Sequence, residues 1–178
     1  MPHYKRFVGK KVYLSPICTD EIDTYMKWVN DAEVVKYTGW YSQIYSRKLE
    51  IEALERQAGD GSYLAIVEAE TDKLIGICSF FGIDLLNRRA EVMIVIGEKE
   101  YWSKGYGQAA LGLLLDFGFR ARNYNSIFLR VDADNKRGIA AYEKVGFKRQ
   151  GVQREAIIHG NKKHDLIYMD ILADEYFI

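Results

Sequence analysis

Apolar residues recur along the chain with two different spacings, one typical of strands and one typical of helices. Short apolar or alternating segments are typical of strands, and they are separated by turn residues such as Thr71-Asp72 and Gly160-Asn161. The predicted strands are Lys11–Leu14, Tyr63–Ala69, Leu74 to about Phe81, Val92–Ile96, Ser126–Val131, Val152–Ile158 and Leu166–Leu172.

Apolar residues at helical spacing lie between these strands. The predicted helices begin at Thr19–Glu21, at Ser46, after the turn Ser103–Gly107, and at Asn135. Ser46 and Asn135 are residue types that cap helix N-termini, whereas Gly146 is typical of a C-terminus. The third helix carries an apolar face made of Leu111, Leu114, Leu115 and Phe119.

The order of elements predicts a mixed sheet. The segments 63–69 and 74–81 are joined by a tight turn, as are 152–158 and 166–172, so each pair is expected to form an antiparallel hairpin. Ser126–Val131 is continuously apolar, which is expected of a parallel strand covered on both faces. The segment between Glu33 and Tyr45 is aromatic and irregular.

The turn Ser103–Gly107 stands where a strand passes into a helix, and it carries Gly105 and Gly107. Glycines at such a place leave backbone N–H groups available to surround an anion, and the helix dipole favours negative charge there. The residues alone are equally consistent with a helix start whose glycines allow tight packing.

Composition limits the classes of protein to which this turn can belong. The chain has 178 residues, 48% of them hydrophobic, and we expect one compact domain, residues 1–178. Lys plus Arg equals Asp plus Glu at 25 each, so no nucleic-acid or membrane partner is expected. The N-terminal residues lack an apolar signal region, which favours the cytoplasm. Cys18 and Cys78 are interpreted as reduced core residues.

Three longer motifs resemble one family. The turn WSKGYGQAA, the later NKRGIAAYEKVGF and the closing HGNKKHDLIYMDIL are similar to those of the GCN5-related N-acetyltransferase (GNAT) superfamily. Within it, the chain resembles the branch of ribosomal-protein N-terminal acetyltransferases and spermidine acetyltransferases. The resemblance implies an α/β (α+β) fold with a mixed, mostly antiparallel sheet, a splayed parallel strand pair and flanking helices. It also implies acetyl-CoA as co-substrate and no metal.

The resemblance assigns the turn to the pyrophosphate of CoA. Backbone amides from Lys104 to Gln108, which include Gly105, Tyr106 and Gly107, are expected to bind it, with the Lys104 side chain adding charge. The family's turn usually begins with Gln or Arg where this chain has Trp102. Main-chain groups of Val95, Ile96 and Gly97 are expected to be left unpaired by the sheet, so that they bind pantetheine and the oxyanion.

Asn135 and Tyr142 match family positions on the short helix. Asn135 is expected to contact the cofactor, to cap the helix, or to do both. Tyr142 is the expected general acid for the departing thiolate, with an unperturbed pKa near 10, although a tyrosine is more commonly a packing residue. Glu91 is the expected base, and the alternatives are a solvated carboxylate, a partner for Arg88 or Arg89, and a water relay.

The acceptor side is less defined. Glu33, Trp40, Tyr41 and Glu155 are candidate substrate contacts, together with Trp28 and Tyr37. His3, His159 and His164 lack metal-ligand spacing, and the last two are expected to be exposed loop residues. The expected reaction is direct transfer of acetyl to a peptide α-amine or a small amine such as a polyamine. The alternative is a CoA-binding module without turnover, and a dinucleotide-binding domain fits less well because GxGxxG is incomplete. A homodimer is plausible.

Overall fold

The computed structural model describes residues 3–177. Its strands are β1 Phe7–Val8, β2 Val12–Pro16, β3 Tyr63–Glu68, β4 Leu74–Asp84, β5 Arg89–Ile96, β6 Ser126–Asp132, β7 Lys148–His159 and β8 Lys162–Leu172. Its helices are α1 Ile22–Val29, α2 Ala32–Val35, α3 Arg47–Asp60, α4 Tyr106–Asp116, α5 Lys136–Val145 and α6 Ala173–Tyr176. A 3-10 turn, Thr19–Glu21, precedes α1, and a π-helical turn, Phe117–Ala121, follows α4.

The strands form an eight-stranded mixed sheet in the order β1-β2-β3-β4-β5-β6-β8-β7. β5 and β6 pair in parallel, whereas β2 with β3, β3 with β4, β6 with β8 and β7 with β8 pair antiparallel. The parallel register covers Arg89–Glu91 opposite Ser126–Phe128, while β5 continues to Ile96 and β6 to Asp132. The predicted fold, a mixed and mostly antiparallel sheet with a splayed parallel pair and flanking helices, is confirmed.

The chain forms two compact units, and it passes between them within β4, β5 and α4. The first unit contains the chain up to Ser79 and Ile94–Leu114. Its core contains buried side chains of β2, β3, β4, α1, α3 and α4. Fully buried members include Val12, Leu14, Trp28, Leu54, Ile66, Ile75 and Leu111.

The second unit contains Phe80–Met93 and the chain from Leu115 onward. Phe80 lies at its centre, with ring centroids 5.9 Å from Phe117 and 5.2 Å from Tyr124. Gly118 makes this packing possible, because a Cβ there would stand 2.7 Å from the Phe80 ring and 2.6 Å from the Ile127 side chain. A glycine in the π-helical turn therefore lets the turn lie directly on the sheet. The expectation of one domain remains a prediction.

The predicted elements agree with the structure within a few residues, and Ser46 and Asn135 cap their helices as expected. The short elements β1, α2 and α6 were not predicted. Cys78 is buried, as predicted, whereas Cys18 is only half-buried. In the described part of the chain, no helix is both long enough and apolar enough to cross a membrane.

Candidate active site

The turn before α4 has the backbone of an anion site. Ser103 and Gly105 have positive φ values of 58° and 82°, so the chain reverses sharply into the helix. The first helical bond runs from the Ala109 N–H to the Gly105 carbonyl, at 3.0 Å. The N–H groups of residues 106–108 point out of the first turn without a helical acceptor, and they carry the positive end of the helix dipole.

Two glycines shape this turn for different reasons. Gly105 is required by its φ, and a Cβ there would lie 3.5 Å from Lys11 Nζ and 3.6 Å from Gln108 Oε1. A Cβ on Gly107 would make only an ordinary contact, 3.6 Å from Ile96 Cγ1. Packing therefore does not require a glycine at 107, whereas close approach of a ligand to the backbone would.

Lys11 supplies a cation at this turn, and the motif did not predict it. Its ammonium donates a hydrogen bond to the carbonyl of Lys104 at 2.6 Å and lies 5.2 Å from the Tyr106 ring centroid. The predicted cation, the Lys104 side chain, is exposed. Backbone donors, an ammonium and an uncovered glycine surface together suit the pyrophosphate of CoA.

Trp102 braces the turn. Its indole Nε1 donates a hydrogen bond to the carbonyl of Ile96 at 2.7 Å. The indole N–H and the Ile96 carbonyl are therefore used within the protein. The tryptophan that departs from the family pattern ties the turn to the end of β5, and any direct contact of Trp102 with the cofactor stays a prediction.

The main chain at the end of β5 is more fully paired than expected. The N–H groups of Gly97 and Glu98 both donate to the carbonyl of Ile75, at 2.9 and 3.2 Å. The Val95 carbonyl faces Gly76 closely, since a Cβ on Gly76 would stand 2.3 Å from that oxygen. The expectation of an unpaired N–H at Gly97 is wrong, because β4 continues alongside this segment and accepts its hydrogen bond.

Trp28 lies against Gly97 and is 2% exposed, so the expectation that it lines a substrate groove is wrong. A Cβ on Gly97 would come within 2.0 Å of its ring. The Trp28 indole donates to Glu98 Oε1 at 2.8 Å, and Lys27 and Lys73 donate to the same carboxylate at 2.7 and 3.0 Å. Burial acts to raise the pKa of Glu98, but these three donors outweigh it and lower the pKa to about 2.

Glu91 is held by a residue that was not expected. It is 7% exposed, and its carboxylate accepts two hydrogen bonds from Arg130, at 2.7 and 3.1 Å. Arg88 instead bonds Asn123, and Arg89 pairs with Asp84. Both oxygens of the Glu91 carboxylate are therefore engaged by the guanidinium, and an amine could reach them only by displacing Arg130.

α5 carries the other two predicted residues. Asn135 caps it, with Oδ1 accepting from the Gly138 N–H at 3.0 Å, so the capping alternative is confirmed. Tyr142 is half-buried, with its ring centroid 6.1 Å from that of Phe147. Burial raises the pKa of Tyr142 to about 12, which corrects the expected value near 10. Its phenol therefore keeps its proton throughout the physiological range.

The candidate acceptor residues are divided between the two units. In the first unit, Glu33 binds the Lys99 ammonium at 2.7 Å, Trp40 is half-buried and Tyr41 is 46% exposed. In the second unit, Glu155 has φ 51° at an irregularity of β7 and binds Lys163 at 2.6 Å. Both carboxylates are thus already paired with lysines at the surface, which weakens their attraction for a cationic substrate.

Comparison with known proteins identifies the family of the chain. The Acetyltransferase (GNAT) domain family matches residues 11–148. The chain belongs to this family. It is accordingly an N-acetyltransferase that uses acetyl-CoA, and the turn 103–108 with Lys11 has the chemistry to hold that co-substrate.

Individual relatives agree with this assignment. The spermidine N(1)-acetyltransferase of Escherichia coli is 30% identical over 168 residues, covering 93% of this chain and 88% of the relative. The putative ribosomal N-acetyltransferase YdaF of Bacillus subtilis is 30% identical over 103 residues, 58% of this chain and 56% of the relative. A crystal structure of the Vibrio cholerae spermidine N-acetyltransferase in complex with CoA and spermine shares the fold, with TM-score 0.85 at 23% identity, covering 96% of this chain and 100% of that one.

Proposed function

We propose that this GNAT enzyme acetylates a primary amine of a polyamine, by direct attack of the amine on acetyl-CoA in a ternary complex. The observation that carries the proposal is the 30% identity to a spermidine N(1)-acetyltransferase across 93% of the chain. The other acceptor class, a peptide α-amine, has support from a relative that covers only 58% of the chain. The polyamine is therefore the preferred acceptor.

The donor side rests on the turn and on Lys11. When bound, acetyl-CoA supplies an acetyl group already activated as a thioester. The amides of residues 106–108 and the Lys11 ammonium hold the pyrophosphate, and Gly105 and Gly107 let it approach the backbone. Trp102 keeps the turn fixed to β5 through Ile96. These residues bind and orient, and they do not take part in proton transfer.

Proton transfer is assigned to Tyr142 and to water. The Tyr142 phenol, protonated because burial raises its pKa to about 12, donates its proton to the departing thiolate. The acceptor amine must lose a proton before it can attack. Because Arg130 occupies both oxygens of Glu91, we assign that proton to a water relay rather than to Glu91.

Release of free CoA thiol from acetyl-CoA, measured across an acceptor panel, tests the proposal. Spermidine and spermine should support turnover, and mass spectrometry should find the added acetyl group on a primary amine. Peptides that differ only in a free or a blocked N-terminus separate the second acceptor class from the first. Faster turnover with the free peptide than with spermidine would overturn the polyamine assignment and leave the acetyl-CoA chemistry intact.

A further inference from the structure

Two histidines and one aspartate meet on one face of the sheet, at the end of the hairpin formed by β7 and β8. The ligand-capable atoms of Asp132, His159 and His164 all lie within 4.8 Å of one another. His159 and His164 were expected to be exposed loop residues, and this is wrong: their side chains are 19% and 10% exposed, and that of Asp132 is 2% exposed. All three belong to the second unit.

The strand register explains why they meet. In β8, His164 lies two residues from Lys162 and two from Leu166, so these side chains share one face. Lys162 is opposite His159 in β7, and Leu166 is opposite Asp132 in β6. Partners across an antiparallel pair also share a face. Residues from three adjacent strands are thereby placed together, although Asp132 is distant from the histidines in sequence.

The separations are close to those of a coordination site, and His164 and Asp132 are also at hydrogen-bond distance. His164 Nδ1 lies 3.1 and 3.2 Å from the two oxygens of Asp132, and His159 Nδ1 lies 3.9 Å from Oδ2. Tetrahedral zinc with bonds of about 2.0–2.1 Å separates neighbouring ligand atoms by about 3.4 Å. The Asp134 carboxylate lies 3.4 Å from His164 Nδ1 and is 61% exposed.

The ligand types select the class of metal. Two imidazoles and one carboxylate suit zinc and its neighbours in the first transition row, whereas magnesium and calcium prefer shells made of oxygen ligands. We propose that Asp132, His159 and His164 form a binding site for a divalent transition-metal ion, for which Zn²⁺ is the natural probe. This site uses no residue of the turn 103–108, and it does not depend on the identity of the acceptor amine.

Asp132 also organises the start of α5. Its Oδ1 accepts from the Asp134 N–H at 2.8 Å, and its carbonyl accepts from the Asn135 N–H at 2.9 Å. A metal bound to Asp132 would therefore fix the turn that begins the helix carrying Tyr142, and it would hold the turn end of the β7–β8 hairpin to β6. The role that follows is structural: the ion joins three strands at one point.

Zinc binding to the full chain, after EDTA treatment and dialysis, tests the site. Isothermal titration should give one Zn²⁺ per chain, with tighter binding at pH 8 than at pH 6, because the imidazoles must lose their protons to bind. Thermal denaturation should shift upward with Zn²⁺ but not with Mg²⁺. Absence of stoichiometric binding at pH 8 would overturn the proposal.

Variants locate the ion. His159→Gln and His164→Gln should each weaken Zn²⁺ binding at least tenfold, while His3→Gln, which removes the chain's third histidine, should leave the stoichiometry unchanged. Equal binding by the double variant His159→Gln/His164→Gln would show that the metal binds elsewhere. Should a variant fail to fold, the Co²⁺ form of the unaltered chain still decides the matter. Tetrahedral nitrogen and oxygen ligation gives an intense visible absorption, and a spectrum like that of aqueous Co²⁺ would contradict the site.

Discussion

The guanidinium of Arg130 donates two hydrogen bonds to the carboxylate of Glu91, at 2.7 and 3.1 Å, within the second unit. The two residues lie on the two parallel strands, and Glu91 belongs to the short register that those strands share, opposite Phe128. The pKa of Arg130 is raised by its hydrogen bond to Glu91, so the cation is stable wherever the enzyme works. The pair therefore holds β5 and β6 together where their register ends.

This ion pair predicts the behaviour of Glu91→Gln. We expect a loss of about 1–3 kcal/mol in unfolding free energy, because Arg130 loses a charged partner in a partly buried place. We also expect the acid limb of the kcat profile against pH to keep its position. Arg130→Gln should have a similar effect on stability, and the double variant should lose less than the sum of the two single losses. Disappearance of the acid limb in Glu91→Gln alone would reinstate Glu91 as the base.

Tyr142→Phe tests the assigned acid. The substitution removes one hydroxyl from a half-buried ring, and we expect kcat to fall at least tenfold with little change in the affinity for CoA. Because the folded-state pKa is about 12, the phenol stays protonated as pH rises, and the alkaline limb measured below pH 11 should not arise from Tyr142.

Tyr168→Phe is the matched control for this variant. It removes a hydroxyl of the same unit, which bonds Gln153 at 3.1 Å at the surface. It should leave kcat within about twofold of the unaltered enzyme. An unchanged kcat in Tyr142→Phe would remove Tyr142 from the mechanism.

Local patterns predicted most of the fold. β3, β6 and α5 have clear periodicity or caps, and their bounds agree with the structure within a few residues. The elements that were missed are too short for a period to appear: β1 has two residues and α2 has four. β7 was predicted too short because most of its side chains are exposed, so little apolar alternation marks its ends.

The site was predictable only where it is local in sequence. The glycine turn and the Asn135 cap are visible in the motif, but the contact of Lys11 with Lys104 joins residues 93 positions apart. Arg130 reaches Glu91 across 39 positions, and nothing near either residue indicates the other. The cluster of Asp132, His159 and His164 was not predicted for the same reason. Ligand spacing along one segment does not reveal a ligand that comes from a separate strand.

Lys11→Met tests the unexpected cation of the turn. Loss of the ammonium should raise the Kd for CoA about tenfold and reduce the salt dependence of binding, because the proposed pyrophosphate site loses one positive charge. Lys10→Met, at the neighbouring exposed lysine, should change the Kd by less than twofold.

Pantetheine binding distinguishes two roles of Lys11: electrostatic attraction of the phosphates, and support of the turn backbone. Pantetheine lacks the pyrophosphate, so its Kd should be the same in the variant and in the unaltered chain. Equal weakening of CoA and pantetheine would mean that Lys11 acts by holding the Lys104 carbonyl in place rather than by binding phosphate.

Gly97→Ala should damage the first unit. An added Cβ would stand 2.0 Å from the Trp28 ring, which is fixed in the core and hydrogen-bonded to Glu98. We expect a loss of about 3 kcal/mol or more in unfolding free energy, measured by urea denaturation. Gly59→Ala, at the end of α3, meets nothing within 4 Å and should be neutral or stabilise by about 0.5–1 kcal/mol. Equal stability of the two variants would contradict the packing described for Trp28.

The depressed pKa of Glu98 predicts that the unfolding free energy decreases in acid. Burial alone would raise its pKa, but Lys27, Trp28 and Lys73 donate to it and lower the pKa to about 2. The stability that this depressed pKa contributes is complete above the ordinary value near 4.5, and it is lost as pH falls toward 2. Glu98→Gln should therefore destabilise the protein at pH 7 and flatten the decline between pH 5 and pH 2. Glu100→Gln, an exposed partner of Lys73, should change neither. The difference in unfolding free energy between the unaltered protein and Glu98→Gln should therefore shrink as the pH falls. A difference that is constant from pH 7 to pH 2 would show that Glu98 stabilises the protein by packing and not by its charge.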